Sequence, residues 1–124
     1  MAIRIVRLGS ARAAKEGLRL GTVRRPPRGV RKADYARRNY YDVWLPDLAP
    51  SARLVARAQN DWPGFTRAYR REMKAAAAER LIALLAALSQ HADFSVGCYC
   101  EDEERCHRSI LRELLQERGA EVRD

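Results

Sequence analysis

The residues best able to do chemistry are concentrated in one run, Cys98-Tyr99-Cys100-Glu101-Asp102-Glu103-Glu104-Arg105-Cys106-His107-Arg108. A cysteine near a helix N-terminus, beside Arg or His, has a lowered pKa and becomes a nucleophile or a redox residue. Cys100, at the end of an apolar run, is the candidate for that role, with His107 as acid/base and Glu101 as its orienter. Cys106 falls in the first turn of the next helix. Its neighbour His107 is a poor partner there, because adjacent helical residues do not face each other. Cys98 reads as a small buried strand residue, since free cysteine is often interior. The spacing does not fit a Cys-x5-Arg phosphate cradle, because position 106 is Cys and not Arg. The acidic run at 101–104 opposes ionisation of a nearby thiol.

Two other chemistries draw on the same residues. Cys98, Cys100, Cys106 and His107 make a Cys3His metal set on paper. In a regular strand, residues two apart lie ~6.6 Å apart on one face. Two thiolates on one zinc, each at ~2.3 Å, must lie closer, so the set requires the strand to bend at Tyr99. No metal and no cofactor is assigned on this basis. A Cys100–Cys106 disulfide is disfavoured in a reducing cytosol unless it serves as a redox switch. The preferred reading is anion binding. Arg108 near a helix start, with backbone N–H groups, suits a phosphate or carboxylate. Arg24 and Arg28, from a loop after another strand, would converge on the same crevice. The competing reading has Glu103 and Glu104 facing the helix dipole, and Arg108 paired with Glu104 at i,i+4.

These residues need elements to position them. Residues 3–8 alternate apolar and polar with β-branched side chains, and residues 18–23 read as a second strand weakened by Gly21. Arg24-Arg25-Pro26-Pro27-Arg28-Gly29 cannot continue a ladder, since proline lacks the donor N–H; it opens a basic loop to about Tyr41. Val43-Trp44-Leu45 is too short to assign. Ser51 is placed to N-cap a short helix to about Gln59. Asp61 caps the next, with Pro63 in its first turn, and a helix with a break allowed for runs from about Pro63 to Ser89. Residues 94–100 read as a buried strand, residues 106–118 as an amphipathic helix ended by Gly119, and residues 121–123 as a final edge strand. Trp44, Trp62, Phe65 and Tyr69 read as core, whereas Tyr40-Tyr41 beside Arg37-Arg38 would suit base stacking. Strands separated by helices predict a single α/β domain over 1–124, with a short, mostly parallel sheet flanked by helices.

Composition bounds the class. The chain has 124 residues and 47% apolar content, which reads as globular. Three cysteines, an odd number, argue against a disulfide-built secreted scaffold. No apolar run approaches the ~18 residues that span a bilayer, and the first residues carry no signal-like apolar segment, so a cytoplasmic protein without a membrane partner is expected. The net charge of +8 divides unevenly: residues 1–74 hold 18 basic and 6 acidic side chains, residues 75–124 hold 6 and 10. That asymmetry suits an anionic partner, although 21 of the basic residues are Arg and 20 residues are Ala, a bias that GC-rich coding also produces.

Set side by side, Cys100-Glu101 and Cys106-His107-Arg108 resemble the signature of the bacterial and archaeal domain-of-unknown-function family 488. Arg24, Pro27, Arg28 and Gly29 resemble the Arg-x-x-Pro-Arg-Gly loop of its short forms. Trp44-Leu45 with Leu48-Ala49-Pro50-Ser51, and Trp62, Phe65 and Tyr69 with Arg70-Arg71-Glu72, are similar to further family segments. Val23 stands where short forms usually have Asp, Pro26 where they have Trp, and Cys106 where they often have Asn. The resemblance implies a compact α/β fold and supplies no activity. Together, the residues lead to the expectation of a site that binds, and acts on, a phosphorylated or nucleotide-like small molecule. The alternatives are an Arg-rich nucleic-acid-binding module without catalysis and a structural zinc protein.

Overall fold

Alternating β-branched residues build the first strand, β1, over Ile3–Arg7. In this computed structural model, which describes residues 1–100 and 102–123 (Glu103 through its backbone alone), the second strand β2 is Leu18–Gly21 and the third, β3, is Val43–Trp44. Phe94–Cys98 forms β4, buried along its whole length, and Val122–Arg123 forms β5. The order is β3-β2-β4-β1-β5, and every pairing is parallel. This is the α/β sheet expected from the sequence. Its central strand is the continuously buried one, mostly small and apolar, with Ser95 as its one polar side chain.

Several boundaries differ from the sequence reading, each for a local reason. β2 ends at Gly21 rather than residue 23, yet Thr22 N–H still donates to Gly97 O at 2.9 Å. β3, unassigned from sequence, exists because Leu20 and Gly21 supply it with a partner edge. β4 ends at Cys98 and the chain bends at Tyr99. The short helix expected after Ser51 is split into α1, Ala52–Val55, and α2, Arg57–Asn60. Ser51 occupies the N-cap position without a capping bond; its hydroxyl is buried without a partner among the described residues, and its N–H donates to Glu72.

The long helical stretch divides into α3, Trp62–Glu72, and α4, Ala76–Leu88. A straight helix over 63–89 would be about 40 Å long. Breaking it lets Phe65 and Tyr69 from α3 and Ile82 and Leu85 from α4 enter one core. The last helix, α5, is His107–Glu117, with Ile110, Leu111 and Leu115 buried and Gly119 beyond its end at φ 83°. No helix of the described residues is long and apolar enough to cross a membrane.

Asp61 does cap α3: its side chain accepts from Gly64 N–H at 3.0 Å, and Pro63 lies in the first turn. Asp61→Ala is expected to cost about 1 kcal/mol of stability, read as a lower urea midpoint at unchanged slope. An unchanged midpoint would show that α3 is held by its packing alone.

Candidate functional site

The strand order fixes where a crevice must open. β2 and β4 are neighbours, but the chain leaves β2 toward β3 on one side and leaves β4 through α5 toward β5 on the other. Exits that diverge between adjacent parallel strands leave a gap beyond their carboxyl ends. Residues 23–25 border that gap from the β2 side, residues 99–100 border it from the β4 side, and α1 and α2 contribute a wall. The result is a cavity of about 520 Å³. Cys98, Cys100, Cys106 and His107 line one part, Pro50, Ala52, Val55 and Ala58 make an apolar wall, and Arg24, Arg25 and Arg105 add guanidinium groups. The Tyr99 hydroxyl donates to Arg25 O at 2.9 Å and so ties the two strand exits together.

The three thiols meet in this cavity. The sulfur atoms of Cys98, Cys100 and Cys106 all lie within 4.8 Å of one another. The bend at Tyr99 makes this geometry, since a strand continuing to residue 100 would hold the first two apart. Cys98 and Cys106 are buried, and Cys100 is exposed. Hydrogen bonds from the Cys106 and Cys98 thiols hold the Cys100 pKa well below the ordinary thiol range; burial opposes them and the Arg108 charge assists. Donating those protons pushes the Cys98 and Cys106 thiols up. These shifts favour placing a negative charge of the cluster on Cys100.

Cys106 is not in the first helical turn, as the sequence suggested, but at the N-cap of α5 with φ −127° and ψ 148°. This extended conformation turns its sulfur back, so that Cys106 Sγ lies 3.7 Å from His107 Nδ1. The rule that adjacent helical residues do not meet fails here because one of the pair is outside the helix. His107 is only 6% exposed. Its Nε2 lies 2.8 Å from Thr22 O and 3.1 Å from Thr22 Oγ1. A carbonyl only accepts, so Nε2 carries the proton and Nδ1 is left as an acceptor facing Cys106 Sγ. Burial pushes the His107 pKa down to about 4 against the Thr22 bond. We expect nitrogen NMR to find the Nε2–H tautomer of neutral His107 from about pH 5 to pH 8; an imidazolium signal near pH 6 would contradict this environment.

The arginines separate. Arg24 lines the cavity, whereas Arg28 is exposed and outside its lining. Arg108 is 4% exposed and donates from Nη2 to Cys100 O at 2.7 Å, rather than pairing with Glu104. Its Nε is buried without a partner among the described residues. Arg108 thus holds the backbone carbonyl of Cys100. Glu101, the expected orienter, lies outside the described residues. Tyr41 is buried with Leu8, Val23, Cys98 and Cys106 in a second core cluster, so its ring is not available for base stacking; Tyr40 packs against that cluster and meets Tyr99 edge-on.

A family model described as "Active DUF488-N3 subclade" matches residues 3–119. The chain belongs to domain-of-unknown-function family 488. Neither the comparison with curated proteins nor that with solved structures finds a match.

In this member of family 488, the cavity combines the segment singled out in the sequence with surroundings that the sequence did not mark. Arg25 and Arg105 adjoin residues already singled out, and adjacency was the available signal for them. The wall from α1 and α2 had none, because helices at residues 52–60 reach the site only through the tertiary fold. Thr22, which sets the histidine tautomer, carries no motif.

Proposed function

We propose that the cavity binds a small molecule with an apolar or planar body and an anionic group, of the phosphorylated or nucleotide-like kind, and that the Cys100 thiolate is the group that acts on it. The observation carrying this reading is the joining of three clustered cysteine sulfurs, that of Cys100 exposed, to an apolar wall and three guanidinium groups in one crevice at the diverging exits of β2 and β4. Apolar walls supply affinity and a few polar groups fix orientation. Arg24, with Arg25 and Arg105, takes the part of anion clamp; Arg108 serves as a positioning residue for Cys100. His107, neutral and with Nδ1 free to accept, suits a base acting through Cys106. The description of the matched subclade as active accords with a catalytic use.

Calorimetric titration tests the binding. Adenosine monophosphate is expected to bind about tenfold or more tightly than inorganic phosphate, because its base buries apolar surface that phosphate lacks. Arg24→Ala with Arg25→Ala is expected to weaken it about tenfold. The nucleic-acid reading draws on the exposure of Arg24, Arg25, Arg28, Lys32 and Arg38 along one loop. Arg31 and Arg37 in that loop are engaged by Asp34. Absence of mononucleotide binding, with affinity for single-stranded DNA or RNA that falls steeply with salt, would replace the small-molecule reading by that one.

A further inference from the structure

We propose that Cys98, Cys100 and Cys106 form a thiolate site for one zinc ion, with the fourth coordination position open to the cavity. The inference goes beyond the small-molecule reading and stands on the sulfur cluster itself. Three thiols within 4.8 Å of one another need only a modest contraction to share an ion, since thiolates at ~2.3 Å from zinc in tetrahedral angles lie ~3.8 Å apart. The two chain segments that carry them are already fixed. Cys98 closes the central strand, and the Cys100 carbonyl is held by Arg108. Cys106 sits at a helix N-cap where its side chain makes no capping bond, so its sulfur is not committed to the helix.

Charge favours the same occupant. Three thiolates around a divalent cation carry a net charge of −1, and Arg24, Arg25 and Arg105 line the same cavity while Arg108 bonds to the Cys100 carbonyl. Arginine cannot itself ligate, so these groups balance the complex without competing for the ion. Sulfur donors select thiophilic ions over magnesium or calcium. Three protein ligands and one open position are the pattern of zinc sites that bind a further ligand, not of closed structural ones. His107 is held by Thr22 through Nε2–H and presents Nδ1 beside Cys106, as a partner outside the coordination set. On binding, thiol protons leave to solvent and the sulfur lone pairs pass to the ion. In the loaded protein, the anionic ligand meets the open position of the ion; in the metal-free protein, Cys100 is the nucleophile of the preceding section.

The test uses the full chain, reduced and stripped of metal. Titration with Co2+ is expected to raise an intense thiolate-to-cobalt charge-transfer band that saturates at one equivalent and is displaced by Zn2+. Cys100→Ser, an exposed position, is expected to cut the band by about a third or abolish it. Because Cys98 and Cys106 are buried, their variants risk unfolding, so a second readout needs no variant: one equivalent of Zn2+ is expected to slow alkylation of Cys100 by about tenfold or more. A band unchanged in Cys100→Ser, or undiminished Cys100 alkylation at excess Zn2+, overturns the proposal. Mononucleotide binding by the metal-free protein is measured separately, so failure here and failure of the small-molecule reading have different signatures.

Discussion

In metal-free protein, Cys100 is expected to be alkylated by iodoacetamide at a rate that barely changes between about pH 5.5 and pH 8, and Cys100→Ser is expected to abolish that reaction. An ordinary thiol with a pKa near ~8.5 is only about 0.3% ionised at pH 6, and its rate climbs about tenfold per pH unit below its pKa. The bonds donated by Cys106 and Cys98 keep Cys100 ionised throughout this range, against the effect of burial. Full ionisation raises the reactive fraction at pH 6 by about 300-fold. The lower basicity of such a thiolate reduces its intrinsic nucleophilicity by roughly 400- to 2,000-fold. The net expectation is a rate at or below that of free cysteine at pH 6 and far below it at pH 8, so the flat pH profile, and not the absolute rate, identifies the thiolate. Mass spectrometry should find the adduct on Cys100, because Cys98 and Cys106 are 1% and 2% exposed. A rate that rises tenfold per unit through pH 8 would mean that Cys100 is an ordinary thiol, and the catalytic reading would fall.

How much of this was legible without coordinates depends on the range of the interaction. Strand, loop and helix around Cys98 to Arg108 follow from an apolar run, an acidic turn and an amphipathic repeat, all local signals. The parallel sheet follows from the alternation of strands with helices. The convergence of the thiols depended on a bend at Tyr99, a condition that could be named from strand geometry but not decided by it. The N-cap position of Cys106, one residue outside the helix, reversed the expected relation to His107, and such boundaries shift by a residue or two in any sequence reading. Arg108 read as an anion ligand or as a partner of Glu104; it is instead buried and bonded to the Cys100 carbonyl, eight residues away in sequence. Tyr41 read as a stacking residue because of its charged neighbours. It is instead packed against Gly21, where a side chain on the strand would strike its ring.

The largest effect on stability is expected from a pair that no motif marks. Arg19, in β2, is completely buried, and its guanidinium meets Glu16 through Nε to Oε2 at 2.8 Å and Nη2 to Oε1 at 3.0 Å. It also donates from Nη1 to Ser10 O and Asn39 O, each at 2.8 Å, fastening two connecting loops to the sheet. Ser95 on β4 and the Ala13 N–H donate to the same carboxylate. Burial alone would raise the Glu16 pKa, but the bonds from Arg19, Ser95 and Ala13 overcome it and bring it from 4.5 to about 2. A depressed carboxylate pKa stabilises the fold above the unfolded value and loses that contribution as pH falls through the folded one. A separation of about 2.5 pH units corresponds to about 3 kcal/mol, present at neutral pH and lost between about pH 4.5 and pH 2. Glu16→Gln strands the buried Arg19 charge and is expected to cost about 3–5 kcal/mol at neutral pH, a third or more of the stability of a typical small domain. Urea unfolding would read both effects. The wild type should lose stability steeply below pH 4.5, and the variant should start lower and show a shallower acid dependence. A Glu16→Gln midpoint close to that of the wild type would mean that the guanidinium is held by the Ser10 and Asn39 carbonyls without its counter-ion. The double variant Glu16→Leu, Arg19→Met decides which view holds. Replacing both charges by apolar side chains removes the stranded charge, so if the ion pair is the anchor, the double variant should be more stable than Glu16→Gln.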